Sequence, residues 1–283
     1  MRTVKELARR LACEGFISAL VCPSAVFLSS TVLRLPLSWD YLLITYLGTH
    51  AILLYNRYEE LERDLLTNPT RSEYIKKHFK ALPVIIAIFF LLALLIPLLQ
   101  GRILGTSYAL LLLFLGLMYP KFFKKHVRVI AFKDAYAAFL LSSVVILAPV
   151  YYSYPITPAF LLLFLFIFLR FFVNTCFFDV KDVESDRREG ILTLSAALGI
   201  EKAIKVLWIM SILSLLPLAF GVILQIFSPW ILIFFLILPY TYYFLKQGLV
   251  KGAREDIFLY YYIVDGEMVF LWPILSISYF FLQ

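Results

Sequence analysis

Charge is scarce in this sequence. Asp, Glu, Lys and Arg make up 16% of its 283 residues, against about 25% in an ordinary soluble chain. With a hydrophobic share of 62% and a mean hydropathy of +0.88, that shortage excludes a water-soluble globule, and it excludes disorder as well. Cysteine is equally sparse. Cys13, Cys22 and Cys176 lie in or beside apolar runs and form no CxxC pair, so a disulfide framework is excluded. The N-terminal segment MRTVKELARR lacks a small-residue cleavage site after a short apolar region, and reads as a retained cytoplasmic lead-in. The net charge of +7 is not gathered into a separate basic domain, which argues against nucleic acid as a partner.

What is present is a succession of long apolar runs. A helix crossing roughly 30 Å of hydrocarbon needs about 20 residues. Nine runs qualify as spans: Leu11–Leu33, Trp39–Tyr58, Leu82–Leu99, Ile103–Tyr119, Val129–Tyr152, Pro158–Phe178, Ala203–Ile226, Trp230–Leu245 and Phe258–Phe280. Prolines at 97, 149, 217, 239 and 273 predict kinks or breaks inside them. Lys and Arg concentrate in the N-terminal segment and in alternate loops, whereas the intervening loops hold only Arg34 and Arg102. The positive-inside rule then puts the N-terminus in the cytoplasm and the C-terminus outside. The expected architecture is an all-α integral membrane protein, one domain over residues 1–283.

The acids are unevenly placed. Glu59, Glu60, Glu62 and Asp64 cluster at the end of the second run, and Asp179, Asp182, Glu184, Asp186 and Glu189 at the end of the sixth. Asn56, Glu60 and Asp64 are spaced by four, as are Asp182 and Asp186, with Asp179 three residues earlier. Helical spacing of this kind puts each set on one face. Clustered carboxylates near a bilayer repel one another, and a divalent cation offsets that cost. With only oxygen donors in each stripe, a hard ion such as Mg²⁺ fits and zinc does not. Arg63, Arg71, Lys181, Arg187 and Arg188 flank the acids, and Lys121, Lys124 and Lys125 follow the fourth run on the same side. Mg²⁺ with Lys and Arg suits a diphosphate.

These residues resemble the UbiA superfamily of intramembrane prenyltransferases, whose motifs follow the second and sixth helices. Asp179, Asp182 and Asp186, with the run from Asp186 to Leu194 and then Leu198–Gly199, match the second motif closely. Tyr119 and Lys124 resemble the element at the fourth-helix exit, and Lys133–Asp134 stands where the family often has Lys-Asn. The first motif departs: Asn56 and Asp64 match, but Arg57 replaces an Asp and Glu60 replaces the middle Asp. The resemblance implies nine helices around a central cavity. It implies an isoprenyl diphosphate donor, in the range of geranyl to geranylgeranyl diphosphate, and an aromatic or lipid acceptor reached within membrane lipid.

By that carry-over Asn56, Glu60, Asp64, Asp182 and Asp186 hold Mg²⁺, while Asn56, Arg71, Lys124, Tyr119 and Asp179 meet the diphosphate. Glu60, Asp64, Asp182 and Asp186 are the catalytic set. The altered first motif keeps two other outcomes open within the family, terpene cyclisation and loss of activity. A cation or solute transporter is the competing class; against it, both clusters lie at one membrane face, whereas transporter sites lie near the midplane. His50, inside the second run, is a further candidate for acceptor contact.

Overall fold

The computed structural model describes residues 2–123 and 127–282. Lys124, one of the expected diphosphate partners, lies outside the described residues. Helix is the only regular structure among them. Eight segments are long and apolar enough to cross a bilayer: Phe16–Leu33, Leu82–Leu99, Ile103–Phe123, Phe132–Tyr152, Pro158–Phe178, Ile200–Ile223, Pro229–Lys251 and Phe258–Leu282. The second expected span forms a helix of 21 residues, Trp39–Glu59. It carries Asp40, His50, Asn56 and Arg57 and is not among the eight.

The first span starts later than the apolar run at Leu11 implies. Helix α1 (Arg2–Cys13) stops before a turn at Glu14 and Gly15, and α2 (Phe16–Ala19) and α3 (Val21–Leu33) continue in its place. Gly15 causes the break with a left-handed φ of 92°. A Cβ there would also stand 2.4 Å from Arg57 Nη1. Gly15→Ala should therefore destabilise the protein by about 1–2 kcal/mol from the backbone alone. A lower melting temperature in detergent checks this.

Helix α4 (Trp39–Glu59) leads into two short helices, α5 (Leu61–Thr67) and α6 (Pro69–Lys77), before α7 (Leu82–Leu99) and α8 (Ile103–Met118). A π-helical turn, Tyr119–Phe123, extends α8. Helices α9 (Phe132–Ser143) and α10 (Leu147–Tyr152) form one span, interrupted just before Pro149. The sixth expected run is the unbroken α11 (Pro158–Phe178), its start fixed by the Thr157 hydroxyl, which accepts the Phe160 amide, and by proline at the first position.

The main apolar core gathers α3, α11 and the last span around Phe166, Phe171, Phe234 and Trp272. In α7, by contrast, Val84, Leu91 and Leu99 stay exposed, an outer surface suited to hydrocarbon and not to water. Arg170, deep in α11, does not reach the acidic loops. Its Nε donates to Glu267 Oε1 at 2.9 Å and its Nη2 to Thr241 Oγ1 at 2.8 Å, a buried pair that ties three spans together. Charges inside an apolar bundle persist only when matched in this way.

Candidate active site

The spacing of the first motif survives a break in its helix. Although α4 ends at Glu59, the Asp64 amide still donates to Glu60 O at 2.9 Å and the Asn68 amide to Asp64 O at 2.7 Å. Asn56, Glu60, Asp64 and Asn68 thus form one oxygen-bearing face. The second motif behaves differently. Asp179 is the residue at which α11 ends, a turn follows, and Asp182 opens α12 (Val183–Glu189). The helical stripe expected from Asp179 to Asp186 is therefore split across a turn. Its Asp182–Asp186 half is kept by a hydrogen bond of 2.9 Å from the Asp186 amide to Asp182 O.

The two acidic ends meet. Asn68 Nδ2 donates to Asp182 Oδ1 at 3.0 Å. The Arg63 guanidinium holds Asp186 and, through Nε, Glu189 at 2.9 Å. Lys133, from the first turn of α9, places its amine 2.7 Å from Asp179 and 3.3 Å from Asp186. On the other side Arg71 Nη2 lies 2.5 Å from Asp64, while Nη1 donates to the Tyr261 hydroxyl at 3.0 Å. Glu255 fixes the start of α6 by accepting the Thr70 and Arg71 amides, and so positions Arg71.

The charges respond to this packing. Burial raises the Asp182 pKa, but Lys181 at 2.7 Å, together with Arg71, outweighs it and holds the carboxyl well below the usual range. Asp179 is pushed the other way, first by burial and then by the Asp134 carboxylate, against the pull of Lys133. Burial also raises Asp186.

Beneath the loops lies a cavity of about 280 Å³. Asn56, Arg57, Glu60, Asp64, Arg71 and Tyr119 line its polar part, joined by Lys133, Asp134 and Asp179. Its remaining wall is mainly apolar, with Ile44, Ile52, Leu113, Leu141 and Leu147 from four helices. Asp182 and Asp186 stand behind this wall, in the bridge between the loops, and not in it. His50 does not line the cavity either: its Nε2 lies 3.0 Å from Glu14 O, linking α4 to the Gly15 break.

Some of the site's oxygens are of the kind a divalent cation takes. Buried oxygens of Asn56 (Oδ1), Asn68 (Oδ1), Asp134 (Oδ2) and Asp179 (Oδ2) lack partners among the described residues. The Asp134 carboxylate adds to the cost of ionising buried Asp179, a cost that a proton or a cation between the two relieves. Among the described residues no three His, Cys, Asp or Glu side chains converge on one point. Instead Arg63, Arg71, Lys133 and Lys181 neutralise Asp186, Asp64, Asp179 and Asp182.

Several contributors were not singled out from the sequence as site residues. In the sequence Arg63 is a cation flanking the first acids and Lys133 stands, with Asp134, at a family-like position; their bridging across the loops is a tertiary property. Arg57, the departure from the first motif, is buried, donates Nη1 to Cys13 O at 2.9 Å, and sits against Gly15. The glycine spacing (Gly15 and Arg57 are 42 residues apart) carries no local signal of that contact.

The model of the UbiA prenyltransferase family matches residues 16–274. This chain belongs to the UbiA prenyltransferase family. Solved members share its fold at low identity. A UbiA homologue from Aeropyrum pernix K1, without ligand, aligns at 15% identity with a TM-score of 0.67, covering 94% of this chain and 97% of its own. A UbiA homologue from Archaeoglobus fulgidus bound to GPP and Mg²⁺ aligns at 16% and 0.64, covering 97% and 98%. A digeranylgeranylglyceryl phosphate synthase aligns at 17% and 0.59, covering 97% and 99%. No curated protein matches the sequence.

Proposed function

We propose that this UbiA-family protein transfers an isoprenyl group from an allylic prenyl diphosphate to an aromatic or lipid acceptor within the membrane. The observation that carries this reading is the bridging of the two acidic loops, through Asn68–Asp182 and Arg63–Asp186, over a cavity with a charged mouth and an apolar body. A diphosphate needs the first and a prenyl chain the second. The Archaeoglobus relative, described as bound to GPP and Mg²⁺, supports it.

Asn56, Glu60, Asp64, Asp182 and Asp186 would hold Mg²⁺, with Asp179 and Asp134 alongside. When bound, the ion supplies positive charge that stabilises the leaving diphosphate. Arg71 and Lys133 share that work as fixed cations, and the family resemblance adds Lys124 as a further diphosphate partner. Arg71 and Lys133 are aimed in advance by Asp64, Tyr261, Asp179 and Asp186, and pre-aimed charge costs nothing to reorganise as the bond breaks. The allylic C1–O bond loosens and its electron pair leaves with the diphosphate. Tyr119, stacked on Tyr136 with ring centres 5.7 Å apart, offers an aromatic face to the cation that develops. The apolar wall keeps water from capturing it.

The same reading makes residues 1–283 a single domain. α4 adds a ninth crossing to the eight apolar segments, the N-terminus is cytoplasmic, and the loop cap lies on the cytoplasmic side of the cell membrane. Purified protein incubated with prenyl diphosphates from geranyl to geranylgeranyl, an acceptor panel and Mg²⁺ should yield prenylated product by mass spectrometry, and none with excess EDTA. Product from donor alone would mean cyclisation instead, and no consumption of any donor would contradict the proposal.

A further inference from the structure

One acid in the cavity wall has no part in the loop cap. Asp265 lies in the last span, between two π-helical stretches, Phe258–Val264 and Glu267–Leu271. Such turns are uncommon and gather at functional sites. Two residues on, Glu267 points to the other side and is closed off by Arg170 and Thr241. Asp265 has no cation at ion-pair distance among the described residues. It is 3% exposed and accepts only neutral donors: Ser18 Oγ at 2.6 Å on one oxygen and Asn174 Nδ2 at 3.3 Å on the other. All three side chains line the cavity. An unpaired carboxylate in a bilayer-spanning helix is costly and calls for a functional reason.

Its depth is informative. Tyr261 is four residues earlier on the same span, lines the same cavity, and takes the hydrogen bond from Arg71. Asp265 therefore sits about one helical turn, roughly 5 Å along the span, from Tyr261, the residue that meets the cation expected to grip the diphosphate. That is where C1 of a bound allylic donor and an attacking atom about 3–3.5 Å from it belong.

Resting on the prenyl-transfer reading above, we infer that Asp265, held by Ser18 and Asn174, forms the acceptor subsite and takes a hydroxyl-bearing acceptor. The carboxylate accepts a hydrogen bond from the acceptor hydroxyl and orients its oxygen towards C1. In the transfer step the acceptor oxygen forms a bond to C1, and the C1–O bond to diphosphate breaks with its electron pair leaving on the diphosphate. The hydroxyl proton passes to the Asp265 carboxylate. Ser18 and Asn174 are positioning residues, which fix the carboxylate without touching the reacting atoms.

The test compares wild type with Asp265→Asn, which keeps size and polarity, and with Ser18→Ala. Three readouts are needed: equilibrium binding of a prenyl thiodiphosphate in Mg²⁺, slow diphosphate release from donor in the absence of acceptor, and transfer to a hydroxyl acceptor. Asp265→Asn should leave the first two within about twofold and lower transfer by about 10²–10⁴-fold, the range of a lost general base. Ser18→Ala should raise the acceptor KM several-fold and leave donor binding alone. Transfer by both variants within twofold of wild type overturns the subsite. So does parallel loss of donor binding in both folded variants, because it would put Asp265 on the donor side. If Asp265→Asn does not fold, the acceptor KM of Ser18→Ala decides. Wild type that neither binds nor consumes any donor overturns the prenyl-transfer reading itself, and the subsite with it.

Discussion

Lys133→Met should be the most damaging single substitution at the loop cap. The amine lies 2.7 Å from Asp179 and 3.3 Å from Asp186, and both carboxylates are buried. Removing one partner from a buried charge cluster costs about 3–5 kcal/mol, because the charges left behind cannot recover their water. Here Asp179 loses its cation and Asp186 keeps only Arg63, while Asp134 already presses on Asp179. The expected result is a large fall in melting temperature and loss of turnover. Adding Asp186→Asn to Lys133→Met should restore a good part of the stability without restoring activity. A double-mutant cycle reads this as a coupling of about 1–3 kcal/mol between the two positions. Independent, additive effects would show that Lys133 does not neutralise Asp186.

Asp182→Ala separates chemistry from folding. The side chain is partly exposed at the entry to α12, makes no capping bond there, and spends its oxygens on Lys181 and Asn68. Turnover should fall by at least about 10²-fold, the scale on which a single aimed charge contributes to leaving-group stabilisation. The melting temperature should fall less than in Lys133→Met, since Asp182 is partly exposed, although buried Lys181 loses its carboxylate. A pH series adds a check with a defined sign. Because Lys181 and Arg71 outweigh burial and depress the Asp182 pKa, its stabilising charge is fully present above the ordinary Asp value of about 3.9. It is lost only as pH falls through the lower folded value. The loop contact should therefore persist at pH 5. Full activity in Asp182→Ala would remove it from the machinery.

How much of this was legible in the sequence depends on distance along the chain. Apolar runs and alternating basic loops reveal helices crossing a bilayer, because both signals are local. The spacing of Asn56, Glu60 and Asp64 also survives, since the i to i−4 bonds continue through the break at Glu60. The first span starts after Leu11 because the apolar run is interrupted at Glu14 and Gly15, a short break that composition alone does not mark as a helix end. Only the left-handed φ of Gly15, and the guanidinium that occupies the space beside it, terminate the helix there.

Which charge meets which is not written locally in the chain. Lys133 and Arg170 look alike in sequence, each a cation inside a span. One joins the two acidic loops and the other closes on Glu267, and only the bundle's packing separates them. Asp265 and Glu267, two residues apart, part in the same way, one into the cavity wall and one into an ion pair. Asp182 and Asp186 stand out in the motif, yet they lie in the bridge behind the cavity wall, where Asp179 alone of the three is part of the lining. A turn between Asp179 and Asp182 makes that difference.

Equilibrium binding of a non-reacting prenyl thiodiphosphate to purified protein, with and without Mg²⁺, reads out whether the two loops grip a diphosphate together. Tight binding should require Mg²⁺ and should weaken sharply in Asp182→Ala and in Asn68→Ala, since the two loops together grip the diphosphate. Binding of equal strength without the ion, or unchanged in both variants, would contradict that joint grip.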